Sequence, residues 1–197
     1  MRRGVFLDRD GVLIEDVELL VDPTRARILP GVAQSLARLK SQGFTLVVVT
    51  NQTVVARGLA TEADVRALHD QLQAELNRDA GGVDAWYYCP HHPHADVAEY
   101  RRSCECRKPG AGMLRQAAER FGIDLTRSFM IGDRPTDVAA GVAAGCRTVL
   151  VKTGRHLDPP IVGGAATVGI VPDCACADLV EAATWISKES TQCTPSS

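Results

Sequence analysis

Short unbroken apolar runs alternate along this chain with stretches in which apolar residues recur every three or four positions. Residues 5–7 and 45–49 are of the first kind: the former reads as a short buried strand, the latter as a strand covered on both faces, and 84–88, 129–132 and 148–151 read as further short strands. The second kind reads as helix. Val32, Leu36 and Leu39 follow Pro30-Gly31 and stop at Gly43. Val65, Leu68, Leu72 and Leu76 follow a capping-box start, Thr61 with Asp64, and run toward Gly81-Gly82. Helices are also expected over 113–121, over 138–144 up to Gly145, and over 177–186. Residues 168–171 suggest an edge strand, and 153–164 a loop rich in Gly and Pro. Strand and helix taking turns predict an α/β fold: a three-layer, Rossmann-like parallel sheet with helices on both faces. One domain over residues 1–189 and a polar, flexible tail over 190–197 account for the whole chain.

Composition narrows the class. The 197 residues carry 22 Lys+Arg against 24 Asp+Glu, a net charge of -2, so there is no basic footprint for nucleic acid or for a membrane surface. No apolar run approaches the ~20 residues of a membrane span. A strand follows Met-Arg-Arg at once, which leaves no room for a signal peptide and makes a cytoplasmic enzyme the expectation. Seven cysteines are present. In a reducing compartment, the clustering of Cys89, Cys104 and Cys106 beside histidines reads as metal ligation before disulfides. Cys174 and Cys176 read as plain thiols.

Polar residues collect at the carboxyl ends of the strands, where open parallel sheets bind ligands. Asp8 and Asp10 end the first, Thr50 and Asn51 the second, and Asp133 and Asp137 follow the fourth. Arg107-Lys108 precedes Pro109 and a helix instead. Two carboxylates leaving a strand end together repel unless a cation lies between them or one keeps its proton. Acids for Mg²⁺, a Lys and a hydroxyl for phosphate oxygens, and a carboxylate nucleophile are the parts of a phosphoryl-transfer site. Taken singly, Asp8/Asp10 and Thr50/Asn51 also fit turn formers, Lys108 a surface charge and Asp133 a helix cap.

Asp-x-Asp, then Ser/Thr, then Lys, then Gly-Asp-x-x-x-Asp, all in order over residues 5–137, resembles the haloacid dehalogenase superfamily of phosphotransferases. The resemblance implies that Asp8 is the nucleophile and Asp10 the acid that protonates the leaving alkoxide and then activates water. Thr50 and Lys108 would stabilise the phosphoryl group, Asp8, Asp133 and the Asp10 carbonyl would hold Mg²⁺, and Asp137 would support Lys108.

Cys89-Pro-His91 and Cys104-x-Cys106 flank a polar loop over residues 89–106, the spacing of a closed, structural Cys₃His zinc site. His92 and His94 are rival ligands, His92 the stronger. The second pair runs straight into Lys108, so zinc would pin the loop that carries it. This loop, with Thr50-Asn-Gln…Ala56-Arg-Gly58, is similar to D-glycero-D-manno-heptose 1,7-bisphosphate 7-phosphatases and to the zinc-containing histidinol-phosphate phosphatases. That narrower resemblance implies a capless monomer acting on a small phosphorylated sugar. Arg9, Asn51, Gln52, Thr53, Arg107 and Arg134 would face the substrate. Two departures bear on that substrate: Glu18-Leu19-Leu20 replaces Gly-Tyr-Val, and Thr53-Val54-Val55 replaces Ser-Gly-Ile. Glu18 near a bisphosphate would repel it, which leaves a sugar monophosphate open. A histidinol-phosphate phosphatase and, more remotely, a non-catalytic zinc-containing binding module are the other readings.

Overall fold

The structure is a computed structural model that describes residues 1–157 and 169–192. Six parallel strands form one sheet in the order β3-β2-β1-β4-β5-β6. They are β1 (Arg3–Leu7), β2 (Phe44–Asn51), β3 (Ala85–Cys89), β4 (Phe129–Gly132), β5 (Arg147–Val151) and β6 (Cys174–Cys176). The helices are α1 (Val32–Ser41), the short α2 (Thr53–Ala56), α3 (Glu62–Ala80), α4 (Gly112–Phe121), α5 (Pro135–Ala144) and α6 (Leu179–Gln192).

Strand periodicity divides the core in two. Val5, Leu7, Leu46, Val48 and Ile131 pack with α1, α3 and α6 on one face. Phe6, Val47, Val49 and Met130 point to the other, against α4. Both faces of β1 and β2 are therefore buried, which is why their sequences are continuous apolar runs. At the start of α3, Thr61 Oγ1 accepts from Asp64 N–H and the Asp64 carboxylate accepts from Thr61 N–H, the expected capping box.

The sheet order reverses direction between β1 and β4, the topological switch point at which such sheets open a crevice. Asp8 leaves β1 and Asp133 leaves β4 there.

Several elements differ from the sequence expectation. The edge strand is Cys174–Cys176, paired with Val149–Val151; residues 169–171 form no strand and Val168 lies outside the described residues. Alternation is too short to signal a three-residue strand, and its register comes from β5. Helix α5 begins at Pro135, so Thr136 and Asp137 stand in its first turn and not in a loop. Residues 53–56 form one helical turn that no periodicity announces. Helix α6 continues to Gln192, past the expected boundary at 189, and 193–197 lie outside the described residues, as does most of the expected 153–164 loop.

Candidate active site

Lys108 organises the crevice. Its Nζ lies 3.0 Å from Asp8 Oδ1 and 2.6 Å from Asp137 Oδ1, and all three residues are buried. Burial opposes the ammonium, but the two carboxylates outweigh it and hold the Lys108 pKa above its ordinary value. Asp8 Oδ1 also accepts from Arg9 N–H at 2.7 Å. Burial nevertheless pushes Asp8 up to about 6, the pull of Lys108 being opposed by Asp137 and Asp10. Asp137 Oδ2 accepts from Arg134 N–H at the start of α5, so Asp137 is engaged on both oxygens.

Asp133 is wholly buried beside them. Its Oδ2 accepts from Arg155 N–H at 2.7 Å, while its Oδ1 is buried without a hydrogen-bond partner. Burial first, then Asp8 and Asp137, push it up to about 8. A Cβ on Gly11 (φ +73) or on Gly154 would overlap this carboxylate, so two glycines form its cradle. Asp8, Asp133 and Asp137 each offer an oxygen within 4.8 Å of the others. Buried carboxylates raised this far, one with an orphaned oxygen, fit a hard divalent cation.

The Asp10 carboxylate is held from two sides. Arg9 Nε and Nη2 approach it at 3.2 and 2.9 Å, and Gln52 Nε2 donates to Oδ2 at 3.1 Å and to Thr50 Oγ1 at 2.8 Å. Arg9 is 1% exposed, and its Nη1 faces His69 Nε2. Asn51 pairs with the backbone of Lys108. Arg9, Asn51 and Gln52, all expected at the substrate, thus border the cavity but spend their side chains within the protein: Arg9 and Gln52 on Asp10, Asn51 on the Lys108 backbone. Thr53 accepts from Arg107 Nη1 at 3.5 Å, and that guanidinium also donates to the carbonyl of His91.

The cavity above this floor is about 290 Å³. Arg57, His92 and Arg107 line one wall. On the other, Asp16 Oδ2 bridges Arg134 at 3.1 Å and Arg155 at 2.9 Å, and Glu18 lies 3.5 Å from Arg155. Leu19, on the same loop, has φ +52, an uncommon conformation for a non-glycine residue. Asp16, Arg57, Arg155 and His69 were missed in the sequence. Two of these leave a trace in the sequence: Arg57 lies in the Ala56-Arg-Gly58 stretch, and His69 is a lone imidazole within the apolar stripe of α3.

Cys89, His91, Cys104 and Cys106 converge below Arg107. Their Sγ atoms are 3.1–3.5 Å apart, and His91 Nδ1 lies 3.4 Å from Cys106 Sγ and 3.6 Å from Cys89 Sγ. A tetrahedron with metal–sulfur bonds of about 2.3 Å has sulfur edges only slightly longer than these. Burial and the thiol of Cys106 push the Cys89 pKa well up, a cost that a cation removes. Burial and Arg102 lower the His91 pKa, which favours the neutral, ligating ring. His92 lies away from this cluster, on the cavity wall, and His94 donates its N–H to the His92 ring.

Comparison with known proteins agrees with this geometry. A profile of the HAD-hydrolase-like family matches residues 105–182. The chain is 42% identical over 157 residues to the D-glycero-beta-D-manno-heptose-1,7-bisphosphate 7-phosphatase of Escherichia coli K12, covering 79% of this chain and 82% of that protein. It is 43% identical over 144 residues to the enzyme of the same name from Rhodopseudomonas palustris, covering 73% and 80%. Among solved structures, the D,D-heptose 1,7-bisphosphate phosphatase from B. bronchiseptica, complexed with magnesium and phosphate, superposes with a TM-score of 0.80. It is 36% identical, and the match covers 95% of this chain and 99% of that one.

Proposed function

We infer the activity of this chain from its family: it belongs to the D-glycero-beta-D-manno-heptose-1,7-bisphosphate 7-phosphatases, HAD-like phosphoric monoester hydrolases. It removes the 7-phosphate of heptose 1,7-bisphosphate and leaves heptose 1-phosphate. The observation that carries this reading is the Lys108 ammonium held between Asp8 and Asp137 at the sheet's switch point.

Asp8 is the nucleophile. Its carboxylate attacks phosphorus and forms an aspartyl phosphate as the sugar oxygen departs. Lys108 and Thr50 stand where charge gathers on the phosphoryl oxygens, and Asp137 keeps the ammonium charged and aimed. Asp10, fixed by Arg9 and Gln52, gives a proton to the leaving alkoxide and later takes one from the water that hydrolyses the acyl phosphate. Asp8, Asp133 and the Asp10 main-chain carbonyl would hold Mg²⁺, which supplies positive charge to the phosphate oxygens when bound. Asp133 Oδ1, buried with neither a hydrogen bond nor a cation against it, fits that role better than Asp137, whose Oδ1 faces the Lys108 ammonium at 2.6 Å and whose Oδ2 accepts from Arg134 N–H.

Cys89, His91, Cys104 and Cys106 would hold Zn²⁺ with no open position, a structural tie for the segment that presents Arg107 and Lys108. Arg107 and Arg134 read the substrate's distal groups, and among the described residues no cap domain covers the cavity. Glu18 is charge-compensated by Arg155, which weakens the objection to a bisphosphate. The protein acts as a monomer in the cytoplasm, and none of the described helices is long and apolar enough to cross a membrane.

The test is phosphate release from heptose 1,7-bisphosphate and from histidinol phosphate side by side, with added Mg²⁺. Preference for the bisphosphate is expected, with loss of turnover in Asp8→Asn. Turnover that survives Asp8→Asn would eliminate the covalent route, and preference for histidinol phosphate would reassign the substrate.

A further inference from the structure

Helix α3 turns Val65, Leu68, Leu72 and Leu76 into the core, and His69 occupies the same stripe with 4% exposure. Its ring stacks on Trp86, centroids 4.7 Å apart at 21°, and meets Tyr88 edge-on at 5.7 Å. Arg9 lies directly against it, its Nη1 3.3 Å from His69 Nε2, and the Asp10 carboxylate beyond Arg9 also acts on the ring. An arginine has only donors, so Nε2 must be the bare, accepting nitrogen and the ring proton must sit on Nδ1. Burial, and next the Arg9 cation, hold the His69 pKa down to about 3, so this acceptor persists at any working pH.

The remaining face of the same guanidinium carries the Asp10 fork. Nε and Nη2 reach the carboxylate at 3.2 and 2.9 Å. A guanidinium is planar and rigid, so fixing Nη1 fixes the direction of the other two donors. Arg9 itself is buried, and an Nη1 with no acceptor would pay the desolvation cost or rotate toward another partner.

We propose that His69 is a positioning residue for the acid/base step, its imidazole accepting from Arg9 so that the guanidinium holds Asp10 in register with the departing sugar oxygen. The inference rests on the reading of Asp10 as proton donor and acceptor. His69 touches neither substrate nor reacting atoms and acts only through Arg9.

Two substitutions separate this role from simple packing. His69→Phe keeps a ring between Trp86 and Tyr88 and deletes the acceptor, whereas His69→Gln keeps an acceptor near the Nε2 position and deletes the ring. Positioning predicts that Phe lowers kcat for the sugar bisphosphate about tenfold or more with KM within about twofold, and that Gln stays within about threefold of the parent kcat. Packing alone predicts the opposite order. Phe at full kcat, or Gln as impaired as Phe, overturns the proposal. In an Asp10→Asn background the cost of His69→Phe should vanish, and an undiminished cost there also overturns it. A ¹⁵N-histidine NMR spectrum of the unmodified protein needs no variant to fold. It should show His69 neutral with the proton on Nδ1, and a proton on Nε2 at neutral pH ends the argument. Asp10→Asn with full turnover would instead sink the acid/base reading of Asp10, a failure distinguishable from any His69 result.

Discussion

The Asn51 side chain and the Lys108 backbone form a reciprocal amide pair: Nδ2 donates to the Lys108 carbonyl at 3.0 Å, and Oδ1 accepts the Lys108 N–H at 3.1 Å. The end of β2 thus holds the main chain of a residue 57 positions away. Without that pair the Lys108 backbone would be held mainly by the Cys/His segment before it and by Pro109 after it.

Asn51→Ala removes both hydrogen bonds, each contributing about 1 kcal/mol. A lower melting temperature is expected, with kcat reduced about tenfold or more because the ammonium loses its fixed approach to Asp8. Parallel thermal melts and steady-state assays check this. A variant that melts lower but turns over at the parent rate would show that Asn51 only stabilises.

Lys108→Met leaves Asp8 and Asp137 facing each other in a buried site. Removing one partner of a buried ion pair costs about 3–5 kcal/mol, and turnover should fall below detection. Adding Asp137→Asn to Lys108→Met removes one of the stranded charges. The double variant should regain part of the stability and none of the activity, as denaturant titration and phosphate release would report. A double variant no more stable than Lys108→Met would mean that charge repulsion is not the cause.

How much of this was legible in sequence depends on reach. The long apolar runs of β1 and β2 announce buried strands because both their faces are covered, and Asp8, Lys108 and Asp133, which the fold brings together, stand out because they sit at strand ends or beside a constrained turn. The side-chain traffic between those groups was not legible. Arg9 reads as a cation beside two acids, and only the fold shows it turned inward to His69 on α3, sixty residues away. Gln52 and Asn51 look alike in the chain, yet one serves Asp10 and the other serves a backbone across the sheet. The strand Cys174–Cys176 has no pattern of its own, being too short to alternate. Spacing favours His91 over its neighbour His92 as the partner of the thiols, and the turn after β3 sends the first ring to the thiols and the second to the cavity.

The raised carboxylates set a pH dependence. In the protein without a cation, Asp8 titrates at about 6 and Asp133 at about 8, both from 3.8 in the unfolded chain. Between about pH 4 and pH 8 these two carboxylates therefore bind more protons in the folded protein than in the unfolded one, and their contribution to stability falls as pH rises through that window; His69, held down to about 3 from 6.5, works in the opposite direction below about pH 6.5. A divalent cation competes with those protons, so its stabilising effect grows in the same direction. Thermal melts with and without Mg²⁺ should show a small gain in melting temperature at pH 5 and the largest near pH 8. An equal gain at both would mean that Mg²⁺ does not displace protons from these acids.

Zinc removal should act on catalysis at a distance. Cys106 precedes Lys108 by two residues, and Arg107 between them donates to the carbonyl of His91, so both arms of the Cys/His cluster bear on the position of Lys108. Freshly purified, reduced protein is expected to hold about one zinc per chain, resistant to mild chelation because four ligands close the site. Stripping it with a strong chelator and a thiol-modifying reagent leaves the three clustered thiols without the charge that offsets their burial. Turnover should then fall in proportion to zinc lost, Mg²⁺ alone should not restore it, and Cys104→Ser should reproduce the loss. The core on the sheet's other face, packed against α1, α3 and α6, includes none of these cysteines, so most of the far-ultraviolet circular dichroism should be kept. Metal analysis that finds no zinc would remove the assignment, and full activity after complete stripping would break the link between this loop and Lys108.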